Sequence, residues 1–279
     1  MRLEGLARRP ALLVVLHALA FWPVWRWYGE RLGDGGDERW ALPALAAAVF
    51  VSWPARGFRF QPRDPLLVLA AVLTLIYAAA EPFAPPLLRA MLAMGALAAT
   101  WTSVADARAK VWPVSALLVL SVPVIESLQF YAGYPLRLVS ASGATALLNF
   151  AGLTVARVGT NMSLGEQLVL VDAPCSGVRM LWTGCALVCV LAAQRARPTF
   201  WRLALAFALA LPLLLAANSL RAALLFVLET RPEPLSAFWH AAVGIVSFAL
   251  VAVLLYASEQ AQLRWLAPAH ARLEIAVPT

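Results

Sequence analysis

The sequence predicts an all-α, polytopic membrane protein: a helical bundle with about eight transmembrane helices and an amphipathic outer segment. Of its 279 residues, 62% are hydrophobic and only 13% are charged, whereas a soluble domain carries about 25% charged residues. Apolar runs long enough to cross a bilayer recur along the chain. Tryptophans lie near the ends of several runs, where indole rings favour the membrane–water interface: Trp22, Trp40, Trp53, Trp101, Trp112, Trp182, Trp201 and Trp239.

Eight segments are predicted to span the membrane. In chain order they are roughly 10–28, 40–55, 65–82, 86–105, 111–131, 178–194, 201–228 and 238–258. The first follows Arg8 and Arg9 and lacks a convincing A-x-A cleavage site. We therefore expect it to be retained as an anchor rather than removed as a signal peptide.

The stretch from Tyr134 to Gly177, between the fifth and sixth spans, is rich in dispersed Ser, Gly, Thr and Asn. Its first part, Leu136–Val155, is predicted to be an amphipathic helix that lies on the membrane or dips into it. Its second part, from Gly159 onward, reads as turns around a short strand.

Basic residues in the short loops predict the orientation of the chain. With the N-terminus inside, the inside segments hold 13 of the 22 basic residues: Arg2, Arg8, Arg9, Arg56, Arg59, Arg63, Arg108, Lys110, Arg195, Arg197, Arg202, Arg264 and Arg272. Both termini are then cytoplasmic in a plasma (inner) membrane. The net charge of +7 is scattered rather than clustered, so nucleic acid is not an expected partner. Three cysteines without a CxxC motif indicate neither a disulfide framework nor a zinc site, and no cofactor or metal is expected.

This topology brings three polar groups to the outer ends of consecutive spans. Cys175 lies at the outer mouth of the sixth span, Asn218 and Arg221 lie toward the outer end of the seventh, and His240 opens the eighth. We expect them at similar depth on three neighbouring helices.

Cys175 has the surroundings of a nucleophile. Pro174 and Gly177 bracket it in a turn, Ser176 is placed to cap the following helix, and Arg179 lies one turn further on. The positive end of a helix dipole and a nearby cation both favour the thiolate. By contrast, the two mid-span cysteines, Cys185 and Cys189, are expected to be inert small hydrophobes.

The other polar residues each allow a structural and a functional interpretation. His240 is either an interfacial histidine or a general acid/base, because imidazole exchanges protons near neutral pH. Arg221 is costly inside a span, so it is either a structural arginine that snorkels to the membrane surface or a functional one that faces the bundle interior or a polar cavity. Asn218, three residues earlier on the same face, is placed to orient it or a substrate backbone. Glu126 either pairs with Arg179 or Arg137, or polarises a catalytic partner. His17 and His270 have no polar company and are expected to be structural.

A cysteine, a histidine and an arginine together suit acyl transfer to sulfur. The thiolate attacks a peptide carbonyl, the imidazolium protonates the departing amine, and the arginine stabilises the oxyanion. Water as the second nucleophile would make the protein a protease, whereas an amine or hydroxyl would make it a transpeptidase.

The chain resembles the exosortase/archaeosortase family of membrane transpeptidases from about Pro123 to Ser258. The resemblance rests on four blocks in order: ESLQFYAGYPLR at 126–137, APCSGVRML at 173–181, NSLR at 218–221 and FWHAAVG at 238–244. It implies Cys175 as nucleophile, Arg221 as transition-state or substrate stabiliser and His240 as acid/base. It also implies exported substrate proteins with a C-terminal signal, consisting of a motif such as Pro-Glu-Pro, a transmembrane helix and a basic cluster. The family often accompanies exopolysaccharide production in Gram-negative bacteria.

The sequence therefore predicts one membrane domain over residues 1–279, with variable N-terminal spans in 1–110, a catalytic core in 111–258 and a cytoplasmic tail in 259–279. Cleavage is expected at the outer face, on substrates that arrive through the membrane lipid. Two alternatives stay open: an intramembrane cysteine protease that hydrolyses its acyl-enzyme, and a non-enzymatic transporter or assembly subunit of polysaccharide export. The chain lacks the paired Gly/Pro-interrupted spans of many repeat-built transporters.

Overall fold

The computed structural model describes residues 10–34, 37–52, 63–105, 110–171, 175–195, 198–231 and 236–265. The chain forms two compact units, one of residues 1–131 with 192–203 and one of residues 132–191 with 204–279. The helices in chain order are α1 (Pro10–Ala20), α2 (Trp22–Gly33), α3 (Ala41–Ser52), α4 (Asp64–Ala80), α5 (Pro86–Val104), α6 (Val111–Leu120), α7 (Ile125–Phe150), α8 (Val178–Ala193), α9 (Phe200–Glu229) and α10 (Ala237–Trp265). A 3₁₀ turn, Asp37–Trp40, precedes α3.

The described helices confirm an apolar helical membrane protein but not eight spans. Three are long and apolar enough to cross a bilayer: α5, α9 and the Phe238–Gln262 part of α10. A fourth span is present only if α6 and α7, which meet at a sharp bend, are counted together as one span. Helices α4 and α8 are apolar but have only 17 and 16 residues, which is near the lower limit for a spanning helix.

Two predicted spans are broken in the structure. The segment predicted at 111–131 is divided into α6 and α7, which bend by 86° at the break between them. Pro123 lies in this break; it lacks an N–H and disfavours helical geometry at the residue before it. The segment predicted at 10–28 is interrupted at Phe21, and α2 then begins at Trp22 with Pro23 in its first turn, where proline is tolerated.

The segment after the fifth predicted span also differs from expectation. The helix expected over Leu136–Val155 is part of α7, which starts earlier, at Ile125, and ends at Phe150 with Pro135 inside it. The predicted short strand is one of three: β1 (Ala156–Val158), β2 (Asn161–Leu164) and β3 (Gln167–Leu170) form an antiparallel sheet in the order β1-β2-β3. The protein is thus helical with one small sheet.

Two-residue turns join these strands, and each contains a glycine with positive φ. Gly159 has a φ of 63° and Gly165 a φ of 60°, which is the left-handed conformation that tight hairpin turns require. The sequence pairs Gly-Thr and Gly-Glu at these turns account for the spacing of the three short strands.

The core of the second unit joins the sheet to α7 and α9. One apolar cluster contains Ala141, Ala144 and Leu148 of α7, Val155, Met162 and Val171 of the sheet region, and Ala222, Ala223 and Phe226 of α9. The α7 residues recur at helical spacing, so they share one face. Small residues allow close helix packing: a Cβ on Gly143 would lie 2.7 Å from the Cβ of Ser219, and one on Gly184 would lie 2.8 Å from Leu214 Cδ1.

Most of the interfacial tryptophans that are described are exposed, as expected for rings at a membrane surface. The exposed ones are Trp22, Trp40, Trp112, Trp201 and Trp239. Trp101 is instead buried in a cluster with Ala105 and Val114 in the first unit, so its ring packs against protein. Trp53 lies outside the described residues.

Candidate active site

Cys175 precedes α8 in a capped turn. The Oγ of Ser176 accepts the N–H of Val178 at 3.3 Å, which satisfies one of the free donors at the start of the helix. Ser176 is buried, and Gly177 has a φ of 87°, which favours glycine. Ser176 thus caps the start of α8, as predicted; Pro174, the other residue expected to bracket the turn, lies outside the described residues.

Asn218 of α9 holds this turn in place. Its Nδ2 donates to the carbonyl oxygen of Cys175 at 3.0 Å and to the Oγ of Ser140 on α7 at 2.7 Å. A Cβ on Gly177 would lie 2.7 Å from Asn218 Cγ, so only glycine lets the turn approach so closely. The expectation was that Asn218 orients Arg221 or a substrate; in the structure its amide fixes the backbone of Cys175 itself.

Cys175 and His240 line one cavity of about 150 Å³ in the second unit. The other lining residues come from the sheet region (Met162, Val169, Leu170 and Val171) and from α9 (Ala222, Leu225, Phe226 and Glu229). The α9 residues recur at three- and four-residue spacing, which puts them on one helix face. The walls combine apolar side chains with a thiol, an imidazole and a carboxylate, which are the groups able to do chemistry.

Glu229 is a site residue that the sequence analysis missed. Its Oε1 lies 3.0 Å from the Nε2 of His240, and both side chains are partly exposed. With the Nε2–H donated to Glu229, the Nδ1 of His240 is the nitrogen left to accept a proton. Glu229 is the last residue of α9, so in the sequence it is simply the polar end of an apolar run. The sequence feature that could have indicated its role is its position 11 residues before a candidate catalytic histidine.

Arg221 lies beside the helix that carries His240. A Cβ on Gly244, one turn after His240 on α10, would lie 3.7 Å from the Nε of Arg221. Arg221 is not one of the residues that line the cavity. The structure thus brings Cys175 and His240 into one cavity and puts Arg221 on the neighbouring α9–α10 contact.

The remaining predicted basic residues take separate positions. Arg179 is half-buried in the first turn of α8, and its carbonyl accepts the Oγ1–H of Thr183 at 2.8 Å. Arg137 lies over the ring of Tyr134, with 6.0 Å between its Cζ and the ring centroid, which suits a cation–π contact.

Glu126 pairs with Arg31 of the same unit, a partner that the sequence did not predict. The Oε2 of Glu126 accepts from Arg31 Nη2 at 2.8 Å, within the first unit. The last turn of α2 supplies the cation. The sequence did not reveal this contact, because the two residues are 95 positions apart. Glu126 is accordingly not a lining residue of the cavity.

A second, buried carboxylate, that of Glu38, also contacts Arg31. Glu38 accepts the N–H groups of Ile125 at 3.0 Å and Glu126 at 3.3 Å, and Arg31 donates to it at 3.1 Å. A carboxylate at a helix N-terminus is favoured by the free amides and the helix dipole. Burial raises the pKa of Glu38, while the two amides and Arg31 oppose this shift.

The other described histidine, His17, and the two cysteines of α8 are not lining residues of the cavity. His17 has polar company, contrary to expectation: its Nδ1 is 2.7 Å from Thr100 Oγ1 and its Nε2 is 2.9 Å from Thr74 Oγ1. Both ring nitrogens are satisfied, which fits its predicted structural role. His270 lies outside the described residues. Cys185 and Cys189 are unbonded thiols of α8, and within the described part of the chain no group of three His, Cys, Asp or Glu side chains could hold a metal ion.

Comparison with known proteins identifies the family. Residues 10–257 match the family described as transmembrane exosortase (Exosortase_EpsH), which is most of the chain. No curated protein and no solved structure matches it significantly. The match includes the Cys175 turn, Arg221, Glu229 and His240. The protein is therefore a multi-pass membrane protein that belongs to the transmembrane exosortase family.

Proposed function

We propose that the protein is a cysteine transpeptidase. It cleaves the C-terminal sorting signals of exported, membrane-anchored proteins at the outer face of the inner membrane and transfers the new C-terminus to a surface acceptor. The observation that carries this proposal is the cavity shared by the Cys175 thiol and the His240 imidazole. Membership of the exosortase family supports a membrane transpeptidase or protease role.

The first half-reaction forms a thioester. His240 accepts the thiol proton of Cys175 at Nδ1, and the thiolate attacks the carbonyl carbon of the scissile peptide bond. The C–N bond then breaks, and the imidazolium returns the proton to the departing amine. Glu229, bonded to Nε2, stabilises the imidazolium and fixes the ring orientation between these steps.

The second half-reaction releases the substrate from sulfur. His240 takes a proton from an incoming amine or hydroxyl, which attacks the thioester carbonyl and expels the Cys175 thiolate. The imidazolium then returns this proton to the thiolate. In this scheme the acceptor gains the substrate C-terminus and the enzyme returns to its starting state.

Arg221 is assigned to charge stabilisation. A guanidinium in an apolar helix is costly unless it has a specific anionic or polar partner, and α9 carries Arg221 one turn before the lining residue Leu225. In the proposed reaction it binds the oxyanion of the tetrahedral intermediate or an anionic group of the substrate. Arg221→Lys is expected to lose most activity, because lysine lacks the planar fork.

The test is processing of an exported reporter that ends in a Pro-Glu-Pro motif, a transmembrane helix and a basic cluster. Cys175→Ala should reduce processing by at least about 10³-fold while the protein still inserts and accumulates. Cys189→Ala is the matched control, because this buried thiol of α8 lies outside the cavity. Normal processing by Cys175→Ala in cells without the wild-type copy would remove the mechanism.

The identity of the second nucleophile has its own readout. Mass spectrometry of the cleaved reporter should find added mass on its C-terminus. A free carboxylate would instead assign the protein to hydrolytic cysteine proteases.

A further inference from the structure

Strand β3 presents one open edge of the small sheet. The N–H of Val171 donates to the carbonyl of Thr160 at 3.1 Å, so Val171 directs its backbone groups toward β2. Because this direction alternates along an antiparallel strand, Val169 also faces β2, whereas Leu168 and Leu170 direct theirs outward. Within the described part of the chain, the outward groups of these two leucines make no backbone hydrogen bonds.

The opposite edge of the sheet, on β1, carries a charged residue, as edge strands of soluble proteins often do. Ala156 and Val158 direct their backbone N–H and C=O groups toward β2, on either side of Arg157. Arg157 is therefore the residue of β1 whose backbone groups point away from the sheet. Arg157 is exposed and its Nη1 donates to the carbonyl of Gly159 at 2.6 Å. A charged side chain at an edge discourages strand addition. The β3 edge carries exposed leucines instead.

The open edge leads directly into the candidate active site. Val169, Leu170 and Val171 line the cavity that also holds Cys175 and His240. Leu168 lies two residues before Leu170, which is roughly 7 Å further along an extended strand. A peptide paired with this edge would therefore run from Leu168 toward the thiol.

We propose that the outward edge of β3 binds the extended peptide segment next to the scissile bond by strand addition. This inference rests on the proposed function, since a thiol that attacks a peptide carbonyl requires a peptide backbone lying along the cavity. The main-chain groups of Leu168 and Leu170 then hold the substrate independently of its side chains, and their apolar side chains favour apolar or small substrate residues. Neither a lipid tail nor a folded helix would satisfy these backbone donors and acceptors.

The backbone hydrogen bonds are tested by Leu168→Pro. Proline removes the outward N–H of residue 168 without removing a bond to β2, and proline is tolerated in edge strands. We expect KM for the reporter to rise about tenfold with a smaller change in kcat, and Leu168→Ala, which keeps the N–H, to raise KM by less than about threefold. Arg157→Pro makes the same change at the opposite edge and should leave processing unchanged.

A second measurement covers the case in which Leu168→Pro fails to accumulate. A photo-crosslinking residue at position 168 or at position 157, in a Cys175→Ala background, should trap uncut reporter from position 168 and not from position 157. Equal trapping from both positions, or a KM for Leu168→Pro equal to that of Leu168→Ala, overturns strand addition while leaving Cys175-dependent processing intact. Processing that does not depend on Cys175 overturns the proposed function instead.

Discussion

In the proposed mechanism, the contact between Glu229 and His240 defines how the histidine transfers protons. Because Nε2 is committed to the carboxylate at 3.0 Å, the tautomer and the ring orientation are fixed, and proton transfer is left to Nδ1. Without Glu229 the ring would be free to rotate and the imidazolium would lose its stabilising charge.

Glu229→Ala is expected to lower kcat about 10- to 100-fold with little change in KM, because substrate binding does not use this carboxylate. Glu229→Gln keeps an oxygen that accepts the Nε2–H, so it should lose less. The measurement is steady-state processing of the reporter by purified protein in detergent. Glu166→Ala, at an exposed turn of the sheet, is the control; an equal loss in that variant, or none in Glu229→Ala, would refute the role of Glu229.

Gly177, in the turn that carries Cys175, offers a second test at the residue scale. Gly177 has positive φ and would place a Cβ 2.7 Å from Asn218, whereas Gly152 also has positive φ, of 91°, but has no atom within 4 Å of a Cβ. Both alanine variants pay for backbone strain, of about 1 kcal/mol, but only Gly177→Ala also displaces Asn218.

We therefore expect Gly177→Ala to lower the free energy of unfolding more than Gly152→Ala does, and to disturb the hydrogen bond that holds the Cys175 carbonyl. Thermal unfolding in detergent, together with the rate of Cys175 alkylation, measures both effects. Equal stability and equal alkylation rates in the two variants would show that the close approach of Asn218 has no consequence.

At the scale of elements, Glu38 anchors the start of α7. It is fully buried and accepts the amides of Ile125 and Glu126, while Arg31 joins it to Glu126. The sharp bend between α6 and α7 leaves the first amides of α7 without helical partners. A side chain from the loop after α2 supplies the acceptors.

Glu38→Ala should destabilise the protein by about 1–3 kcal/mol, because two buried donors lose their acceptor. The loss is measured as a lower midpoint of thermal unfolding in detergent. Glu30→Ala is the control, since Glu30 forms only an exposed pair with Arg26 and such pairs contribute little. A midpoint for Glu38→Ala equal to that of the control would contradict the capping role.

The extent of a helix was predictable where a long apolar run determines it, and less predictable where a single proline breaks the run. Helices α5, α9 and α10 follow from long apolar runs. The breaks at Phe21 and at Ser121–Val124 depend on prolines whose effect on a span varies with packing. The sheet was underestimated because its strands have three or four residues, too few to show a clear alternation.

At the scale of the whole molecule, residue type and position near the ends of spans were enough to select Cys175 and His240. The turn chemistry around Cys175 also followed from local sequence, since Ser176 and Gly177 act on their immediate neighbours. Contacts between distant segments did not follow: Glu229 with His240, Asn218 with Cys175, and Arg31 with Glu126. A charged residue in one apolar run gives no information about which of several opposite charges it meets.

The proposed mechanism requires a reactive thiol at the outer membrane face that is coupled to His240. The most direct measurement is alkylation of Cys175 by a membrane-impermeant charged maleimide, in a Cys185→Ala/Cys189→Ala variant where it is the only thiol left among the three cysteines. The account predicts rapid labelling in spheroplasts with an intact inner membrane, and labelling at least about tenfold slower in the added presence of His240→Ala. Labelling only in inside-out vesicles, or at a rate that His240→Ala does not change, would contradict it.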